Sequence, residues 1–384
     1  MWRNIASNAL SFLIVLLFVL GGVVLWGKSQ YRAEGPLEQA ICLEVPSGTN
    51  FRRVADNLDQ QGAISSKMIF NMGVDYTGAS NQLKAGSFIV PAASSMESII
   101  DIVTRGGQST CGTEILYRIG VNAATVEVRQ MDPETARYDE VADFELGSEV
   151  PEIYTTVAGQ NDTRFRIAIA EGVTSWQIMT SLNAIDTLDG DVDVIPAEGS
   201  LSPDSYEFTK GASVADILSR MEAAQATILA QAWENRADGL PFDTPEEALT
   251  LASIVEKETG IASERPLVAS VFINRLEQGM RLQTDPTVIY GITKGQGTLG
   301  RGLRQSELQR ETPYNTYVIN GLPPTPIANP GKASIEAVLN PEQSDYIFFV
   351  AKTLNPADGH VFAATLNEHN RNVAAYRALE RAAN

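Results

Sequence analysis

Histidine and cysteine are nearly missing from this 384-residue chain, with two of each. Two histidines cannot build a His-rich zinc site unless carboxylates or cysteines complete it, so no metal or cofactor is expected. Basic residues are also scarce, with 29 Lys and Arg against 47 Asp and Glu and a net charge of −18. Such a chain repels nucleic acid and anionic membrane surfaces, which leaves neutral or mixed-charge partners. From Asn4 to Gly27 charge of either sign is absent, because no residue there is ionisable. The stretch LSFLIVLLFVLGGVVLW within it is long enough, as a helix, to cross a hydrocarbon core of about 30 Å. It is longer than a signal-peptide h-region, and GKSQYRAEG offers no small-x-small cleavage site, so a retained anchor is expected over 9–27. Arg3 on one side and Lys28 and Arg32 on the other leave its orientation open.

The remainder has ordinary globular chemistry, 44% hydrophobic and 20% charged, and room for two or three domains. After a linker over 28–40, VPSGTNFRRVADNL (45–58) aligns with IAEGVTSWQIMTSL (169–182), matching Gly48 with Gly172, Val54 with Ile178 and Leu58 with Leu182. Each reads as strand, glycine turn and amphipathic helix. AGSFIVPAASSMESIIDIVTRG then echoes PDSYEFTKGASVADILSRM. Two copies of a small α/β unit are expected, with chance recurrence of a common turn as the alternative. Between them, 107–163 reads as an insert of extra strands and exposed acidic loop. Its GQSTC differs from a G-x-S-x-G nucleophile elbow by Cys111 at the second glycine. Cys42 and Cys111 bracket the first unit, 41–106. They form either a disulfide, if the body lies outside the cytoplasm, or two buried thiols.

One helix stands out. Thr244 before Pro245-Glu246-Glu247 is a strong N-terminus, the helix runs through ALTLASIVEKET, and Gly260 is a plausible stop. A second helix follows from near Ser263 to near Gly279. At about 100° per residue, Glu256 and Glu258 point roughly 200° apart and cannot share one small site. Glu256 shares its face with Leu249, Ala252, Ser253, Thr259 and Gly260. These mostly small neighbours leave room for a ligand and limit solvent, as a general acid requires; a salt bridge is the competing role. Glu258, behind Leu251 and Ile254, is expected to pair with Arg265 or Lys257, or to hydrogen-bond a neighbouring segment.

LASIVEKETG, ERPLVASVFINRLEQGMRLQTDPTVIYG, TPYNTYVINGLPPTPIANPGKASIEAVLNP, YIFFVAKT and GHVFAATLNEHN occur in this order. Together they resemble the endolytic murein transglycosylase family, densely over 198–371. The resemblance implies an α+β protein of the bacterial inner membrane with a cytoplasmic tip (1–8), one transmembrane helix and a periplasmic body. It also implies a lysin-motif-like module over 41–106 and a catalytic region over 164–384, whereas the insert departs from the compact pattern. The implied substrate is the glycan strand of peptidoglycan, cut from within beside peptidoglycan synthases. The resemblance places the catalytic glutamate on Glu256.

Other side chains could serve such a site. Asp285 is either a second carboxylate or the N-cap of the helix that follows it. Gln283 could donate to an N-acetyl or hydroxyl group or simply lie on the surface. Tyr314, Asn315 and Tyr317 offer aromatic faces and an amide to sugar rings, or pack beneath the GLPPTPIANPG loop. His360 and His369 have no triad partner at a recognisable spacing and are read as structural.

Overall fold

The computed structural model describes residues 2–46, 48–105, 110–135, 137–160 and 163–383, with side chains from residue 12 onward. Helix α1 (Trp2–Arg32) is continuous, and among the described residues it alone is long and apolar enough to cross a membrane, over Phe12–Arg32. It does not stop where the linker was expected, because 28–32 continue the helix. Tyr31 is buried in the next module, its ring so close to Gly73 that a Cβ there would lie 2.2 Å from a ring carbon. Arg32 pairs with Glu97 at 3.1 Å.

That module is built from β1 (Ile41–Val45), α2 (Phe51–Gln60), α3 (Lys67–Thr77), β2 (Gly86–Val90) and α4 (Met96–Thr104). The strands pair antiparallel with Ile41 opposite Val90, and Asn50, Ser66 and Ser95 cap the three helices. Leu43, Leu58, Phe70 and Ile99 form its core. Cys42 and Cys111 are joined in a disulfide, with a Cα–Cα distance of 5.9 Å.

Next come β3 (Thr113–Ile119), β4 (Ala124–Asp132), β5 (Arg137–Glu145), α5 (Glu152–Ala158), β6 (Arg164–Ile169), α6 (Ser175–Asn183) and β7 (Leu188–Asp189). After these lie β8 (Ser205–Phe208), β9 (Ala212–Ser213) and α7 (Val214–Glu234). A five-stranded sheet has the order β5-β4-β3-β6-β8. The 107–163 segment carries β3, β4 and β5, the extra strands expected there. The chain divides into two compact units, Met1–Ile115, Glu127–Asp143 and Val150–Arg164 in one, and Leu116–Val126, Phe144–Glu149 and Phe165–Asn384 in the other. The two related segments do share an order. Gly48 and Gly172 turn the chain at φ 76 and 81°, Asn50 and Thr174 cap the following helix, and each first strand pairs antiparallel with a later one.

The rest is mainly helical: α8 (Pro245–Glu258), α9 (Arg265–Glu277), α10 (Asp285–Thr293), α11 (Gln305–Leu308) and α12 (Lys332–Leu339). The hairpin β10 (Phe348–Ala351) and β11 (His360–Ala363) and helix α13 (Leu366–Ala383) complete the chain. Helix α8 starts as its sequence dictates, with Thr244 and Glu247 forming a reciprocal capping box. It packs against α7, α9, α10 and α12, so every residue from Ala248 to Val255 is buried. Between its acidic first turn and its charged last turn the helix is uncharged, and in the last turn the two glutamates part.

Candidate active site

Glu256 and Glu258 face different environments, as the helical geometry requires. The small residues on the Glu256 face admit protein backbone rather than a ligand. Ser253 Oγ accepts from the Ile327 amide at 3.0 Å, which draws the loop before α12 onto α8. Glu256 Oε2 then accepts from the Gly331 amide at 3.0 Å and from Ser334 Oγ at 2.7 Å, while Oε1 lies 3.6 Å from Arg265 Nη2. Its side chain is only 5% exposed. With two donors and a guanidinium around it, this carboxyl caps α12 and pairs with α9.

Glu171 belongs to the same cluster. It reaches Arg265 at 3.1 Å and lies where a Cβ on Gly331 would be 1.8 Å from its oxygen. Burial, and then the neighbouring Glu256, raise the Glu171 pKa, opposed by Arg265. Lys257 donates to the Gly172 carbonyl at 3.2 Å, and burial lowers its pKa. Arg265 thus serves Glu171 and Glu256 and is not the partner expected for Glu258.

On the other face, Glu258 is the last residue of α8, at the negative end of the helix macrodipole. It is partly exposed and accepts a hydrogen bond from Thr284 Oγ1. Burial pushes its pKa up and Asp285 adds to the rise; the Thr284 hydrogen bond, His360 and Arg275 oppose it. Thr284, not Asp285, is the N-cap of α10; Asp285 is the first helical residue and accepts from Tyr317 Oη at 2.7 Å. Burial and the Asp285 carboxyl raise the Tyr317 pKa, with Glu258 contributing. Buried Arg275 ties this corner down, donating to the carbonyls of Ile347 and Leu282, both at 2.6 Å. His360 is held by Glu264, its Nδ1 2.9 Å from the carboxylate.

The turn around 313–317 positions these groups. Thr316 Oγ1 accepts from the Thr284 amide at 3.0 Å, and its carbonyl accepts from the Gln283 amide at 3.1 Å. Gln283 is exposed and has φ 50°, a left-handed backbone that is uncommon for a residue with a side chain and recurs at functional sites. Asn315 is fully buried, its Nδ2 donating to the carbonyls of Glu307, Leu308 and Arg310 and its Oδ1 accepting from the Tyr317 amide. It shapes the turn and cannot meet a substrate. Tyr314 lies elsewhere, 5.1 Å ring to ring from Tyr290 and hydrogen-bonded to Thr325. His369 stacks on Phe348 at 4.9 Å.

Asp285 and Tyr317 therefore lie on the Glu258 side, and Gln283 precedes the Thr284 that binds Glu258. A cavity of about 1130 Å³ runs beside the first half of α8, lined by Glu198, Gln225, Tyr290, Tyr314 and the 321–326 loop, and it includes neither glutamate. Glu171 and Arg265 had no local signal as a cluster. Glu258 had one, since a carboxyl ending a helix opposes the macrodipole.

The model of the YceG-like family matches residues 43–129 and 141–375. The chain is 30% identical over 364 residues to the endolytic murein transglycosylase of Bacillus subtilis, covering 92% of this chain and 89% of that protein. It is 28% identical to the endolytic murein transglycosylase of Streptococcus pneumoniae, with 87% of this chain covering 58% of that longer protein. A solved yceG-like protein from Listeria monocytogenes matches 87% of this chain and 99% of its own at 26% identity, with a TM-score of 0.45.

Proposed function

The chain belongs to the YceG-like family, and from that premise we propose that it is an endolytic murein transglycosylase whose general acid is Glu258 rather than Glu256. The carrying observation is the Glu258 carboxyl, which accepts from Thr284 and whose pKa is raised by desolvation and by Asp285, itself held by Tyr317. A general acid must hold its proton near the working pH, and burial favours the neutral carboxyl. Glu256 is engaged by Gly331, Ser334 and Arg265, and its role is structural.

The substrate is the bond from C1 of N-acetylmuramic acid to the next N-acetylglucosamine. Glu258 gives its proton to the glycosidic oxygen as the C1–O bond breaks. The muramic C6 hydroxyl attacks C1, and the Glu258 carboxylate takes the hydroxyl proton, which regenerates the acid. No water is consumed, the new end is 1,6-anhydro-N-acetylmuramic acid, and attack from within one sugar carries a high effective molarity. Tyr317 fixes Asp285, and Thr284 fixes Glu258.

Asp285 supports a second reading. A carboxyl close enough to raise the Glu258 pKa could activate water, which would make the protein a muramidase. Mass spectrometry of digested glycan strands separates the two: anhydro ends are lighter than reducing ends by one water. Anhydro ends are the expected product, and reducing ends would establish hydrolysis.

On the same reading α1 crosses the bacterial inner membrane with its N-terminus in the cytoplasm and the body in the periplasm. The disulfide of Cys42 and Cys111 supports an oxidising compartment. The 41–106 module is lysin-motif-like and contributes glycan contact. Cutting beside peptidoglycan synthases, the enzyme limits the length of nascent strands.

A further inference from the structure

We propose that helix α3 lies in the lipid–water interface, with Met68, Met72 and Tyr76 set among the headgroups of the membrane that α1 crosses. The proposal rests on the membrane-spanning reading of α1.

These three residues are spaced four apart on α3 and are 65, 61 and 83% exposed, far more than a folded module usually leaves of large apolar side chains. On the helical wheel they cover an arc of about 80°. That arc borders the face on which Gly73 receives the Tyr31 ring. Helix α3 is thus apolar on its core face and also on the flank beside α1. Its polar edge carries Lys67, paired with Asp56 and Asp59 at 3.3 Å, and Asp75, which accepts from Ser80 at 3.2 Å.

The occupant follows from where α1 leaves the membrane. Its exposed apolar surface runs from Phe12 to Trp26, and Trp favours the interface. Tyr31 is five residues further on, about 7.5 Å along the helix axis. The headgroup layer beyond the hydrocarbon is itself about 5–7 Å thick. The helix is unbroken across this step, and Tyr31 against Gly73 together with Arg32 against Glu97 fastens it to the module. The middle of α3 is therefore held at the depth of the headgroups. Exposed Lys28 stands at the same level and suits lipid phosphate.

The test uses the full chain in phosphatidylcholine vesicles. With Cys42 and Cys111 bonded, Met72→Cys or Tyr76→Cys supplies one thiol for an environment-sensitive fluorophore. Arg52→Cys, exposed on α2, is the control, and Leu20→Cys reports the span itself. The expected result is strong quenching of the Met72 and Tyr76 probes by a lipid nitroxide near the headgroup, with the Arg52 probe unquenched. Met72 and Tyr76 probes no more quenched than Arg52, beside a Leu20 probe quenched by a deep nitroxide, would overturn the proposal and leave the span standing. A blue shift without nitroxide quenching would mean that protein covers the stripe, which also overturns it. An unquenched Leu20 probe would remove the span and the proposal together.

Discussion

The last turn of α8 carries two carboxyls two residues apart, and their surroundings differ. Glu256 faces a loop that arrives to satisfy it, with Gly331, Ser334 and Arg265 as partners. Glu258 faces a corner that keeps its pKa high, with one hydrogen bond from Thr284 and a second carboxyl nearby. A satisfied buried carboxyl holds elements together, whereas one kept from full satisfaction stores reactivity at a cost in stability. The difference lies in the segments that meet each face, since the helix is the same.

The comparison breaks most visibly in activity. Glu258→Gln should lower strand cleavage by roughly 10²–10⁴-fold, the range assigned to general acid–base catalysis, with substrate binding intact in a pull-down on glycan strands. Glu256→Gln leaves an amide against the Arg265 guanidinium and should lose about 1–3 kcal/mol of stability, the scale of a buried hydrogen bond to a charged group. Denaturant unfolding would measure this, and cleavage per folded molecule should stay near wild type. Tyr317→Phe removes the hydroxyl that holds Asp285. Its expected effect is a smaller loss of kcat, corresponding to about 0.5–1.5 kcal/mol, with KM and Tm nearly unchanged.

The smallest effect sharpens the contrast through pH. A carboxyl whose pKa is raised on folding costs nothing while it is protonated in both states. As pH rises from the ordinary carboxylate range through the folded pKa, the unfolded state ionises first and stability falls. Glu258→Gln removes that term. The variant should gain stability relative to wild type across this window and match it below, as thermal melts at a series of pH values would reveal. Wild-type activity should decline over the upper part of the same window as Glu258 loses its proton.

Much of this architecture was legible in the sequence. Thr244, Pro245 and Glu247 dictated the start of α8, and the 100° step already separated the two glutamates. Gly48 and Gly172, each before a capping side chain, disclosed the shared strand–turn–helix order. What the local pattern could not contain is which distant segment fills each face. Gly331 reaches Glu256 from 75 residues downstream, and Thr284 reaches Glu258 from 26. Small residues at Ala252 and Ser253 read equally well as room for a ligand or room for backbone, and the 327–331 loop decided for backbone. Asn315 is buried for a similar reason, because the carbonyls of Glu307, Leu308 and Arg310 claim its amide. The first five linker residues, 28–32, instead extend α1, and at Tyr31 a core contact outweighed a polar composition.

The division of labour is tested most directly by digesting the same glycan strands with wild type, Glu256→Gln and Glu258→Gln at equal folded concentration and resolving the products by mass spectrometry. Anhydro-ended fragments should appear with wild type and Glu256→Gln and be reduced to traces with Glu258→Gln. Fragments from Glu258→Gln at the wild-type rate, with none from Glu256→Gln, would contradict it and return the catalytic role to the other face of the helix.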